Sequence, residues 1–135
     1  MALEGGCQCG AVRFRHDGEP LALYICHCHE CRKQSASAFG MSLEVCADGF
    51  RILGGTPRFW SRRADSGNTV RCAFCDTCGS RLWHERDGAG GTLTIKVGAL
   101  DAPVDAGMAT HIWTVHKLPG IVIPEAARRF EREPV

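Results

Sequence analysis

Hydrophobic and polar positions alternate with a period of two through much of the chain. Val12 and Phe14 alternate with Arg13 and Arg15. Phe39, Met41, Leu43 and Val45 alternate with small or polar residues, and Val70, Cys72 and Phe74 lead into Cys75. Alternation of this kind sends one row of side chains into a core and the other outward, so these stretches are predicted to be half-buried strands. Leu21–Ile25 is an apolar run of strand length that delivers Cys26. Phe50–Leu53, Arg58–Ser61 and His111–Val115 complete the strand candidates, and Arg81–Glu85 with Thr92–Val97 forms a hairpin around the Asp87–Gly91 loop. Breaks fall at Asp17–Pro20, Asp48-Gly49, Gly54–Pro57 and the hairpin tip Asp65–Asn68, where Gly, Pro, Asp and Asn cluster. A short helix is predicted from His29 to Ala38, ended by Gly40, and a second, short and amphipathic, from Pro124 to Glu133. No repeat and no long linker interrupts the pattern. The expectation is a single domain over residues 1–135, mainly β, with one or two short helices.

Composition changes this picture in two ways. The net charge of +1 over 135 residues gives no bulk field for nucleic acid, and no apolar run approaches the ~20 residues of a membrane helix. The first six residues lack the basic and apolar regions of a signal peptide, so a soluble cytoplasmic protein is expected. The nine cysteines matter more. Their number is odd and most sit in CxC or CxxC pairs. That pattern points to metal binding in a reducing compartment over a disulfide scaffold.

Six residues concentrate the chemistry: Cys26-His27-Cys28-His29-Glu30-Cys31. They are flanked by Cys7-Gln8-Cys9 upstream and Cys75-Asp76-Thr77-Cys78 downstream. A CxC or CxxC knuckle turns two sulfurs inward, and two knuckles make a tetrahedral four-thiolate zinc site. Cys7, Cys9, Cys75 and Cys78 fit this, although spacing alone also lets Cys7 and Cys9 join Cys26 and Cys28. The central set, Cys26, Cys28 and Cys31, offers three thiols. Three protein ligands with an open position is the pattern of a catalytic zinc, whereas closure by His27, His29 or His84 would make the site structural. Zn²⁺ with three thiolates carries a formal charge of −1. It suits holding an incoming thiol as thiolate better than making hydroxide. If Cys31 lies in the first turn of the helix, backbone amides there favour its thiolate.

The remaining candidates read as packing or surface. Cys46 and Cys72 fall within strand patterns as small buried apolar residues. Trp60, Trp83 and Trp113 read as core or strand-face packing. Arg32, Arg62, Arg63, Arg71 and Arg81 read individually as solvated charges that could also bind a substrate's carboxylates.

The three cysteine motifs, in the contexts Gly6-Cys7-Gln8-Cys9-Gly10-Ala11-Val12, Cys26–Lys33 and Phe74-Cys75-Asp76-Thr77-Cys78-Gly79-Ser80, closely resemble the glutathione-dependent formaldehyde-activating enzyme family, which includes centromere protein V. Val97–Pro103 and His111-Ile112-Trp113 resemble its C-terminal half. The resemblance implies a β-tent of small twisted antiparallel sheets pinned by two zinc ions. One is structural on Cys7, Cys9, Cys75 and Cys78; the other is catalytic on Cys26, Cys28 and Cys31. It also implies addition of glutathione's thiol to formaldehyde, a carbon–sulfur lyase reaction written in reverse. Family members often carry Gly at the position of Ala36 and Trp at that of Gly120.

The leading expectation is therefore a zinc enzyme joining a low-molecular-weight thiol to a small aldehyde, with His27 or His29 available to shuttle a proton. The alternatives are a zinc-stabilised binding module without catalysis and a thiol–disulfide or sulfoxide reductase relying on Cys46 or Cys72.

Overall fold

The computed structural model describes residues 2–88 and 90–134. Its strands are β1 (Ala2–Gly6), β2 (Arg13–Asp17), β3 (Ala22–Cys26), β4 (Gly40–Cys46), β5 (Phe50–Gly54), β6 (Arg58–Arg63), β7 (Thr69–Phe74), β8 (Arg81–Arg86), β9 (Thr92–Lys96) and β10 (Thr110–Ile112). One α-helix, α1 (His29–Ser35), and short 3-10 turns complete the described elements. A three-stranded sheet has the order β1-β2-β5, and a seven-stranded sheet the order β10-β3-β4-β9-β8-β7-β6. Neighbours run antiparallel except β3 and β10, which pair in parallel. The architecture is the mainly β one that the alternation predicts. Ala89 of the predicted Asp87–Gly91 loop lies outside the described residues.

The alternation has a direct structural consequence. One face of the large sheet contributes Leu43, Val45, Ala73, Trp83, Leu93 and Ile95 to a core that also takes Val12 and Phe14 of β2. The Phe14 ring stands 5.9 Å from that of Trp83, nearly edge-on, and both are essentially inaccessible. Burying each such aromatic is worth roughly 1.5–3 kcal/mol, and it is this contact that seats the small sheet on the large one. The intervening residues, among them Tyr24, Ser42, Glu44, His84, Arg86 and Lys96, point to the other face. That face is polar and forms a cavity wall.

Three differences from the sequence reading have physical causes. β1 is a strand although it ends in Gly5-Gly6, which weakens any strand prediction. A Cβ at Gly5 would stand 2.3 Å from the Ala99 carbonyl oxygen, so only glycine admits the close approach. Pro124–Glu133 does not form the predicted helix. Its backbone bonds to β10 and the residues after it: the His111 N–H donates to the Arg128 carbonyl, and the Phe130 N–H to the His111 carbonyl, both at 2.9 Å. The late strand ends at Ile112, because Trp113 adopts a left-handed conformation (φ 56°) and starts a 3-10 turn.

Candidate metal centres

β1 and β7 each run into a knuckle, and the two knuckles meet. The sulfurs of Cys7, Cys9, Cys75 and Cys78 all lie within 4.8 Å of one another. Cys9 Sγ is 3.6 Å from Cys7 Sγ and 3.7 Å from Cys75 Sγ. A tetrahedron with Zn–S bonds of about 2.3 Å has edges of about 3.8 Å, so the donor set and its spacing fit a four-thiolate zinc ion. All nine cysteines are free thiols.

Backbone amides aim at these sulfurs. Cys7 Sγ accepts from the Val12 N–H at 3.2 Å. Burial pushes the Cys7 thiol up, but that N–H and the Cys9 and Cys75 thiols outweigh it and hold it below its usual value. The Ser80 hydroxyl, 3.2 Å from Cys78 Sγ, leads the contacts that bring Cys78 down to about 5. Cys9 goes the other way, up to about 12: the Ala11 backbone pulls it down, but Cys7, burial, Cys78 and Cys75 outweigh that. Cys7 and Cys78 are thus the thiols biased towards the thiolate form that a cation binds.

The second cluster is built from the end of β3 and the start of α1. The sulfurs of Cys26, Cys28 and Cys31 also lie within 4.8 Å of one another, and no further His, Cys, Asp or Glu among the described residues joins them. Cys28 caps α1, its Sγ accepting from the Cys31 N–H at 3.3 Å. Cys28 is held low, to about 2, first by the Cys26 thiol, then by Cys31 and the amides of Cys31 and Glu30. Contacts with Cys28 and Cys31, together with burial, push Cys26 strongly up. The donors are all thiols and suit the same ion, but there are three of them.

Gly40 sets the distance between α1 and the sheet. A Cβ there would stand 3.2 Å from Cys31 Cβ and 3.4 Å from Lys96 Nζ, so the glycine lets the helix settle against β4 beside the lysine. Lys96 is buried, and its ammonium donates to Ser42 Oγ at 2.9 Å. Burial lowers its pKa, and the nearby Cys31 and Cys26 sulfurs pull back the other way. A buried ammonium facing a cluster of thiols offsets the negative charge that gathers there.

The three-thiol cluster opens on a cavity of about 320 Å³ walled by the polar face of the large sheet, by α1 and by the chain's last residues, including Trp113 and Glu133. Trp113 Nε1 donates to Glu133 Oε1 at 3.0 Å. Three polar atoms on this wall, Gln34 Oε1, Arg62 Nε and His84 Nε2, are buried with no hydrogen-bond partner among the described residues. His84 is brought down to about 3 by desolvation first and then by the positive charges of Lys96, Arg62, Arg86 and Arg81.

The histidines of the central motif separate. His27 Nε2 lies 2.9 Å from His111 Nδ1, and both rings are buried, so one neutral imidazole donates to the other. His29 is exposed and packs on His116 with ring centres 4.3 Å apart. His84 lines the cavity but stays outside the sulfur cluster. Cys72 is fully buried, as its pattern predicts, whereas Cys46, at the end of β4, is exposed. Trp83 is core, but Trp60 is half exposed and Trp113 lines the cavity. Sequence reasoning overlooked Arg86, Glu44 and Lys96. For Glu44 and Lys96 the signal was there: each sits on the even-numbered face of a strand, β4 or β9, whose odd-numbered residues are apolar, whereas β8 has no such alternation and gave none for Arg86.

Comparison with known proteins agrees with this geometry. A family model described as "Glutathione-dependent formaldehyde-activating enzyme" matches residues 2–116. A protein of Halomonas elongata, provisionally named a glutathione-dependent formaldehyde-activating enzyme, is 34% identical over 87 residues. That match takes in 62% of this chain and 55% of the relative, so the chain spans little over half the relative's length. A Rhodobacter sphaeroides protein solved by crystallography shares the fold with a TM-score of 0.60 at 24% identity, over 80% of this chain and 98% of that one.

Proposed function

The chain belongs to the glutathione-dependent formaldehyde-activating enzyme family, and from that premise we propose that it joins a low-molecular-weight thiol, glutathione or a close analogue, to formaldehyde or another small aldehyde. The observation that carries this reading is the three-thiol cluster opening on the 320 Å³ cavity. Cys7, Cys9, Cys75 and Cys78 would hold one zinc ion that ties β1 to β7, and Cys26, Cys28 and Cys31 a second. The second ion, when bound, supplies a position at which an incoming thiol is held as its thiolate.

The protein's own groups do the rest. Cys28, the thiol most readily deprotonated of the three, anchors the cluster at the start of α1. The Lys96 ammonium offsets the charge of three thiolates and a fourth sulfur. Tyr24 and Trp113 line the cavity onto which the cluster opens. In the addition, sulfur forms a bond to the carbonyl carbon, the carbonyl π pair moves to oxygen, and the thiol's proton ends on that oxygen. No oxidant or reductant is needed. The arrangement contributes proximity and a reactive thiolate. The cysteines, mostly in CxC and CxxC pairs, favour a reducing compartment such as the cytoplasm.

The test measures zinc per chain for wild type and Cys28→Ser, with and without glutathione, alongside the rate of S-hydroxymethyl adduct formation. Two ions in wild type, one in the variant, a glutathione-sensitive signal from cobalt substituted at the second site and a rate above the uncatalysed one are expected. Two ions indifferent to glutathione, with no rate gain, would leave a zinc-stabilised binding module.

A further inference from the structure

The family model ends at residue 116, but the described chain runs on to Pro134. No described residue after His111 is buried, and Glu131, Arg132, Glu133 and Pro134 are all exposed. These last residues add nothing to the core. Glu133 and Pro134 nevertheless line the cavity onto which Cys26, Cys28 and Cys31 open.

Their attachment is specific. β10 is an edge strand of the large sheet and pairs with β3, with Ile112 opposite Cys26. Arg128–Arg132 runs along β10 and the turn after it. Besides the two bonds to His111, the Trp113 N–H donates to the Arg132 carbonyl at 3.1 Å, and the Thr114 N–H and hydroxyl both donate to the Phe130 carbonyl at 3.2 Å. Beyond Arg132 the attachment among the described residues is one side-chain bond, from Trp113 Nε1 to Glu133 Oε1. Trp113 itself is held from the other side. Its ring lies nearly parallel to that of His116, 5.9 Å away, and His116 packs on His29 in the first turn of α1. A left-handed residue with a large side chain is unusual, and here it ends β10 at the cavity. Exposed backbone bonds without buried side chains mark the segment as one of low local stability.

We propose that Arg128–Pro134 is a strap across the mouth of the cavity, latched by the Trp113–Glu133 bond, and that these two residues determine the size of molecule that reaches the three-thiol cluster. With the latch made, Glu133 and Pro134 stand at the cavity's edge and admit small thiols and aldehydes. With it broken, nothing else fixes these two residues, and bulkier molecules enter. Cysteines on the surface of other proteins belong to the excluded class. Because the strap lies beyond the family model, this selectivity is a property of the present chain. As a specificity device it rests on the proposed function, and its test separates the two.

The zinc-loaded protein is treated with iodoacetamide or with the much bulkier N-(1-pyrenyl)maleimide, and modification of Cys26, Cys28 and Cys31 is followed by peptide mass spectrometry. Cys46, exposed and outside the cavity, is the reference thiol on the same molecule. Glu133→Ala is expected to raise the pyrenylmaleimide rate at the cluster, relative to Cys46, about threefold or more, the factor that loss of one hydrogen bond implies. Its iodoacetamide rate and zinc content are expected to match wild type. Trp113→Phe is expected to act alike, and the double variant to add nothing, since both remove the same bond. Glu133→Gln retains the acceptor oxygen and is expected to behave as wild type. A pyrenylmaleimide rate that Glu133→Ala leaves unchanged, equal acceleration of both reagents, or additive effects of the two single variants would each overturn the proposal. No thiol or aldehyde substrate enters this experiment. If the latch governs reagent size but cobalt at the second site ignores glutathione, the strap stands and the catalytic reading fails. If cobalt senses glutathione while the variants alkylate like wild type, the reverse holds.

Discussion

Cys7 and Cys75 pack in the apolar core beside Val12, Phe14 and Trp83, whereas Cys28 and Cys31 look into a cavity walled by Lys96, Glu44 and Arg62. The residue type and the knuckle-like spacing are similar in both places; the surroundings differ. In the first cluster the thiols come from two strands far apart in sequence, there are four of them, and apolar residues close around two. In the second they come from one short stretch, there are three, and the polar face of the sheet leaves a path to them. An ion at the first would cross-link the fold. An ion at the second would sit at the edge of a reaction space. Ligand count and neighbourhood, more than the thiol itself, separate structure from chemistry here.

The sharpest way to break that contrast is to remove one thiol from each cluster. Cys75→Ser is expected to cost most of the native stability, because structural zinc binding is worth about 10–16 kcal/mol in small peptides and a domain holds only about 5–15 kcal/mol in all. The expected outcome is insoluble protein, or a urea midpoint near zero with no ion retained. Cys28→Ser is expected to keep a urea midpoint close to wild type and lose one ion. Equal loss of stability in both variants would erase the distinction between the clusters.

Much of this contrast was legible before the fold was known. The CxC and CxxC spacings named all seven clustered cysteines, and period-two alternation named the core face of β4; on β7 it pointed to Val70 and Cys72, whereas Ala73 joins the core and Val70 lines the cavity. Spacing left the pairing open, because a knuckle shows which two sulfurs converge but not which other knuckle they meet. That depends on β1, and Gly5-Gly6 masks β1 from a propensity reading. The cavity wall was hidden for another reason. Arg86, Glu44 and Lys96 lie on three different strands, and only the register brings them to one place. The Pro124–Glu133 helix failed because a parallel contact with His111 claims the backbone groups a helix would have used.

A smaller effect probes the cavity wall through pH. His84 titrates at about 3 in the folded protein, against about 6.5 unfolded, because burial and then Lys96, Arg62, Arg86 and Arg81 disfavour its charge. A histidine with a depressed folded pKa is neutral in both states above pH 6.5. Between 6.5 and 3 the unfolded chain binds the extra proton, so stability falls as pH falls. From pH 7.5 to pH 5 the His84 contribution to this loss is about 2 kcal/mol. His27 and His111, also lowered chiefly by burial, add in the same direction. Urea unfolding of wild type and His84→Gln at the two pH values checks this: the variant is expected to show a shallower decline. An unchanged slope would mean that His84 is solvated and that the wall is not the positive, poorly hydrated surface described.

The smallest effect concerns the helix that presents the second cluster. α1 ends at Ala36, which sits in the left-handed region at φ 51° and ψ 42° and donates its N–H back to the carbonyls of Arg32 and Lys33. The left-handed conformation costs an L-residue with a Cβ roughly 1–2 kcal/mol, and glycine is the usual occupant of such a helix end. Glycine gives back about 0.4–1 kcal/mol through the larger freedom of its unfolded chain. Ala36→Gly is therefore expected to stabilise the protein by about 0.5–1 kcal/mol, read as a higher urea midpoint, without altering zinc content. Ala36 is exposed and a methyl group is all that is removed, so packing does not obscure the result. If the substitution also tightens retention of the second ion, the strain at Ala36 is transmitted along α1 to Cys31 and Cys28. If it stabilises the fold alone, the cluster is positioned by Gly40 and the sheet, and the helix end is a separate feature of the second region.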